Sequence, residues 1–162
     1  MPSHDPEPPA DPARRARLLG ALAALLPMID DSAAATAAVA LPTPPAGAQA
    51  VDWDHFGEPT VSAARRANVS VSRSLDAAVD TSLYRLPADA TWERVLGHYR
   101  QAAAPAWRAE AGADRVDAGS PARQQRYVAA DDARQRLAIV WLPATGEVRD
   151  GLLMVLRTAA SR

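Results

Sequence analysis

The sequence predicts an α+β fold: a single antiparallel sheet of four to six strands with one main helix, about residues 91–103, packed on one face. Two observations predict it. Thr91–Ala103 is the clearest amphipathic helix in the chain, and Arg136–Leu142 and Leu152–Thr158 are strong apolar runs of strand length joined by a turn-rich connection. Those two runs make the C-terminal half an antiparallel meander.

The elements follow in chain order. Asn68–Ser74 alternates, with Val69 and Val71 on one side and serines on the other, and reads as a half-exposed strand. Thr81–Leu86 reads as a second strand, stopped by Pro87. The helix then places Trp92, Val95, Leu96, Tyr99 and Ala103 on one stripe and turns Glu93, Arg94, Arg100 and Gln101 to water. Asp89 or Thr91 caps its first turn, and Pro105 ends it. Ala106–Glu110 and Gln125–Ala130 are further candidate strands before the final pair, whose connection turns at Thr145-Gly146 or Asp150-Gly151.

Leu137–Leu142 and Leu152–Leu156 are continuously apolar rather than alternating, as strands are when both faces are covered. One helix covers one face. The other cover is the Leu18–Ile29 segment, the Ser62–Ala67 segment or a second chain. If the leader is removed, the sheet is expected to dimerise or to dock a partner.

The chain of 162 residues divides at a change of composition into a leader, 1–50, and a single domain, 51–162. Nine of the 14 prolines lie in the first 45 residues, and residues 1–13 are Pro-rich and acidic. Arg14, Arg15 and Arg17 precede the apolar run Leu18–Ile29, which Asp30-Asp31 closes. Read as an export signal, the segment has A-x-A cleavage sites at Ala33-Ala34-Ala35 and Ala48-Gln49-Ala50. Arg14-Arg15-Ala16-Arg17-Leu18-Leu19 resembles the twin-arginine export motif, with Arg17 where an aromatic is preferred. Read as part of the fold, Leu18, Leu22, Leu25, Leu26 and Ile29 form an amphipathic stripe, with Pro27 breaking its last turn. Twelve apolar residues ended by two acids fall short of a membrane span.

Composition excludes several chemistries. There is no cysteine, so disulfides, thiolate nucleophiles, Cys-based metal sites and a lipidated lipoprotein are ruled out. All 18 basic residues are Arg and 38 residues are Ala, a bias of GC-rich bacterial coding rather than of function. Residues 1–57 carry a net −4 and residues 58–162 a net +3, with signs interspersed in the latter. That balance is a solvated surface, not a nucleic-acid footprint, and no basic–aromatic interleaving accompanies it.

Leu83-Tyr84-Arg85-Leu86-Pro87, Trp92, Val95, His98-Tyr99-Arg100 and Ala106-Trp107 resemble a pattern of small bacterial envelope or secreted α+β domains of unknown function. There a strand ends in Pro, a helix ends in an aromatic-Tyr step, and a short strand opens with Gly-Trp. The resemblance covers residues 80–110 and departs at His98 and Ala106. It implies an exported, non-enzymatic accessory domain and supplies no catalytic residue.

Candidate chemistry is confined to Asp52-Trp53-Asp54-His55-Phe56, where Asp52, Asp54 and His55 crowd together. They offer a cation site or an acid–base pair. The plainer reading is a polar segment whose Trp53 and Phe56 anchor the chain on the core. His98 stands beside the helix stripe with no acid or second His at helical spacing. Asp131-Asp132 reads as a solvated loop tip, and neither a G-x-S-x-G elbow nor a phosphate-cradling Gly loop occurs. No catalytic residue, metal or cofactor is predicted.

The function expected is therefore a periplasmic or secreted accessory module, carrying a signal peptide, that works by contact with another protein or with itself as a homodimer. Its contact residues are Trp53, Phe56, Ile139, Trp141, Met154 and Leu156. The alternative is a cytoplasmic adaptor or toxin-neutralising (immunity-type) protein in which Leu18–Ile29 belongs to the fold.

Overall fold

The computed structural model describes residues 38–112, 114–144 and 149–159. Residues 38–162 form one compact unit. The segments Leu18–Ile29 and Ala33–Ala35, and the Thr145-Gly146 turn, lie outside the described residues.

Six strands form one fully antiparallel sheet: β1 (Gln49–Ala50), β2 (Val79–Leu86), β3 (Trp107–Ala109), β4 (Arg123–Ala129), β5 (Arg136–Leu142) and β6 (Gly151–Thr158). Their order across the sheet is β1-β2-β6-β5-β4-β3. Among the described residues two helices join them, α1 (Thr60–Leu75) and α2 (Trp92–Ala102), with a 3₁₀ turn at Trp53–His55. The α+β class, the single antiparallel sheet and its six strands match the sequence expectation. The number of helices does not, since each face of the sheet carries one.

The continuous apolar runs now have their cause. The β5–β6 register sets Ile139 against Val155 and Val140 against Met154. Alternation then sends Ala138, Val140, Leu142, Leu152, Met154 and Leu156 to one face, where they pack under α1. Leu137, Ile139, Leu153 and Val155 go to the opposite face, under α2.

The cover on the first face includes the Ser62–Ala67 segment, and it corrects the strand expected at Asn68–Ser74. Both stretches belong to α1, which buries Val61, Ala64, Ala67, Val71 and Leu75 along one stripe. Val71 faces the sheet while Val69 faces water, so their apparent alternation reflects a helix turning, not a pleat. Alanines at positions 64 and 67 seat the helix close to the strands. The Glu58 carboxylate accepts the Ser62 N–H at 3.2 Å, and Asp76 closes the helix in the left-handed region, φ 51°, with its N–H donated to the Arg73 carbonyl.

Helix α2 follows the expected stripe, burying Trp92, Val95 and Tyr99, and the buried side chains continue through Ala103 to Trp107. Thr91 is its cap: Oγ1 accepts the Arg94 N–H at 3.4 Å. Thr91→Ala is expected to lower stability by about 1 kcal/mol, the usual effect of losing an N-cap hydroxyl, measurable as a shift in the urea midpoint.

The domain begins before residue 51. Residues 38–48 run as a strap against the α2 face, tied at three points. The Val39 N–H donates to Gln135 Oε1 (2.8 Å), the Trp107 indole N–H donates to the Ala40 carbonyl (2.9 Å), and His98 Nε2 meets the Thr43 carbonyl at 2.7 Å. A carbonyl only accepts, so His98 carries its proton on Nε2 in this contact. Pro42 is buried, and Gly47, at φ 82°, turns the strap into β1. There Gln49 pairs with Arg85 and Ala50 with Tyr84 on β2. None of the described helices is long and apolar enough to cross a membrane.

Candidate protein contact surface

The residues expected to make contacts separate into two groups. Ile139, Met154 and Leu156 are 1% exposed or less, and Phe56 is 7% exposed; all four belong to the core between sheet and helices. Among the described residues, both faces of the sheet are covered, one by α1 and the other by α2. Trp141 is half-buried at the end of β5, its ring 6.4 Å from that of Trp92, with the Arg123 guanidinium 5.9 Å above the Trp92 ring. Trp53 is half-buried and lines an open hollow.

The crowded acids of the same segment do not converge. Asp52, Asp54 and His55 are all exposed; the His55 N–H closes the 3₁₀ turn onto the Asp52 carbonyl, and the His55 ring packs edge-on against Phe56 at 5.0 Å. Successive residues of a 3₁₀ turn point about 120° apart, which spreads Trp53, Asp54 and His55 around the turn. Among the described residues no three His, Asp or Glu side chains group closely enough to hold a metal ion.

The surface beside Trp53 is the outer side of α1. With the apolar stripe pressed to the sheet, helical spacing leaves Arg65, Arg66, Val69 and Arg73 exposed. A shallow groove of 770 Å³ runs between this side of α1 and Asp117, and its lining includes all four of those residues. A neighbouring hollow of 410 Å³ is lined by Trp53, Arg65, Asn68 and Val69. Val69 is 49% exposed and shared by the two depressions. Asp117 marks one rim, accepting a hydrogen bond from Ser70 Oγ at 3.0 Å. Among the described residues, Arg65, Arg66 and Arg73 form no ion pair. Elsewhere in the domain Arg85, Arg94, Arg123, Arg126, Arg134 and Arg157 each face a carboxylate.

Sequence reasoning missed this surface because it placed Asn68–Ser74 in a strand, which hides the common side of Arg65, Val69 and Arg73. Four-residue spacing from Arg65 through Val69 to Arg73 is the signal that finds it.

Two other polar features lie elsewhere. On the α2 face, Tyr99 and Tyr127 are fully buried and neither hydroxyl has a hydrogen-bond partner among the described residues. Burial raises the ionisation of Tyr99 well above the ordinary phenol range, helped by the neighbouring Tyr84 and Tyr127. Burial raises Tyr127 as well, opposed by Arg100. In the β4–β5 turn, Asp132 accepts the Arg134 N–H at 3.0 Å and a Gln135 side-chain N–H at 3.3 Å, which holds its carboxyl below the usual range. Asp132 thus braces the turn, whereas Asp131 is the solvated tip.

Compared with known protein families, curated proteins and solved structures, the chain matches none of them.

Proposed function

We propose that this chain is a non-catalytic, exported or envelope-associated binding module that works by protein–protein contact, and that the contact is made by the outer side of α1. One observation carries the reading: exposed Val69 lies between a groove lined by Arg65, Arg66 and Arg73 and a hollow lined by the half-buried Trp53, and those three guanidinium groups have no carboxylate partner among the described residues. Aromatic and arginine side chains are the residue types that dominate protein interfaces. The partner that fits is an acidic amphipathic segment of another protein. Its apolar side chains would lie on Val69 and Trp53, and its carboxylates would pair bidentately with the arginines. Export is supported by the basic residues at 14, 15 and 17 followed by the apolar run 18–29.

The test is a photo-crosslinking amino acid at position 69 of the full chain, produced in its own host. The expected result is an adduct that mass spectrometry maps to an acidic segment of one envelope protein. Arg65→Glu, Arg66→Glu and Arg73→Glu together are expected to cut its yield about tenfold or more, through like-charge repulsion. All three side chains are exposed, so circular dichroism should show the fold unchanged. An adduct that survives the charge reversal, an adduct to a second copy, or the lack of any adduct would overturn the assignment.

A further inference from the structure

β2 is paired along its whole length on one side and along only half of it on the other. Hydrogen bonds fix which way its backbone groups point: the Ala159 N–H donates to the Ala78 carbonyl at 2.8 Å, and the Val51 N–H donates to the Leu83 carbonyl at 3.1 Å. Alternation then turns Asp80, Ser82, Tyr84 and Leu86 toward β6, and Val79, Thr81, Leu83 and Arg85 toward the β1 edge. β1 and Val51 occupy that edge at Arg85 and Leu83, after which the chain leaves β2 for the 3₁₀ turn. Among the described residues no backbone group meets the outward N–H and C=O of Val79 and Thr81, and both residues are partly exposed.

The other outward-facing strand positions offer less. On β1 the Ala48 N–H is held by the Pro45 carbonyl, which leaves Ala50. On β3 the bonds from Ala130 N–H to Ala106 and from Glu110 N–H to Arg126 turn Trp107 and Ala109 outward, and the Trp107 N–H is held by the Ala103 carbonyl. Val79 and Thr81 thus form the longest free edge among the described strands.

That edge adjoins the contact surface of α1. Asn68, which lines the hollow with Trp53, Arg65 and Val69, donates from Nδ2 to Thr81 Oγ1 at 2.8 Å. A strand laid on the edge would send every second side chain to the α1 face, toward the hollow and the unpaired Arg65. Its intervening side chains would lie on the opposite face beside Asp80, which is exposed and 3.7 Å from Arg157. Carboxylates are attracted on the first face and repelled by Asp80 on the second.

We infer that the acidic segment of the partner binds as an extended strand added to β2 at residues 79–82, in line with β1. Its acids and its apolar anchor stand at every second position, facing α1. The inference rests on the contact proposed above and gives the bound segment its conformation and its sequence period. Main-chain hydrogen bonds to the edge supply affinity, and the hollow with its arginines supplies selectivity.

The experiment is the crosslinking from position 69 of the full chain, with Thr81→Pro and Thr81→Val added and folding checked by circular dichroism. Thr81→Pro deletes an N–H that no described strand uses, a change that edge strands tolerate. Thr81→Val keeps that N–H and removes the hydroxyl bonded to Asn68. Thr81→Pro is expected to cut the adduct yield about tenfold or more, and Thr81→Val less than about twofold. Hydrogen exchange of the purified wild-type adduct provides a second measurement, which decides the matter if Thr81→Pro does not fold. The Val79 and Thr81 amides should exchange more slowly in the adduct than in the free chain, while Asp80 and Ser82, already turned to β6, change little. An adduct that charge reversal of the arginines abolishes but a folded Thr81→Pro spares overturns strand addition while the α1 contact stands. So does an adduct in which Val79 and Thr81 exchange as in the free chain. The lack of any adduct, or one indifferent to charge reversal, overturns the α1 contact and strand addition with it.

Discussion

Ile139→Ala and Met154→Ala are each expected to lower the unfolding free energy by about 2–5 kcal/mol, and Ile139→Asp is expected to prevent folding. Ile139 lies on the α2 face of β5 and Met154 on the α1 face of β6, and the two are 1% and 0% exposed. Neither cavity can be filled by a simple collapse, because each is walled by a helix on one side and by paired backbone on the other. Chemical denaturation read by tryptophan fluorescence measures both effects. If these side chains formed a docking surface, the Ala variants would keep full stability and weaken only an interaction, and Asp would be tolerated. Stability losses below about 0.5 kcal/mol, the range of ordinary surface substitutions, would contradict the two-sided core.

The domain is expected to lose stability steeply above about pH 10, the ordinary ionisation range of tyrosine. Tyr99 and Tyr127 have folded-state values raised above that range, so the unfolded chain releases those protons first. Their contribution is therefore complete below about pH 10 and falls as pH rises toward the folded values, at about 1.4 kcal/mol per pH unit for each ring. Both rings therefore push the domain toward alkaline unfolding. Tyr99→Phe removes one of them, and its alkaline slope should be shallower than that of the wild type. At neutral pH the same substitution takes away a buried hydroxyl with no partner among the described residues and leaves the ring, so stability should stay level or rise by about 1 kcal/mol. Urea titrations across the alkaline range decide it. An unchanged slope in Tyr99→Phe would show that this ring does not drive the transition.

The strands of the C-terminal half were legible because their side chains are large and apolar: Arg136–Leu142 was placed residue for residue, and α2 to within a residue at either end. Helix α1 was not. Its buried stripe is largely alanine and valine, and in a chain with 38 alanines an alanine at a core position carries no contrast. Serines at 62, 70, 72 and 74 lowered its helical propensity, so that tertiary packing, not local preference, decides its conformation. The strap was illegible for a related reason. Its hold on the domain comes from partners 55, 67 and 96 residues away, and a Pro-rich segment looks the same in sequence whether or not such partners exist. The candidate surface inherited the error in α1: its charges were visible in sequence, but not their common side.

Strand order gives the fold a schedule. β6, the last of the six strands to leave the ribosome, lies in the middle of the sheet, between β2 and β5. Until it arrives, β2 has only the two-residue β1 beside it, and the β3–β4–β5 meander has no link to β2 across the sheet. The pairing that joins the halves sets Val79 against Thr158, a closure across most of the domain. Neither helix has a finished floor before then. The nascent domain thus has no closed sheet until its last strand emerges, when that central strand can join the two halves.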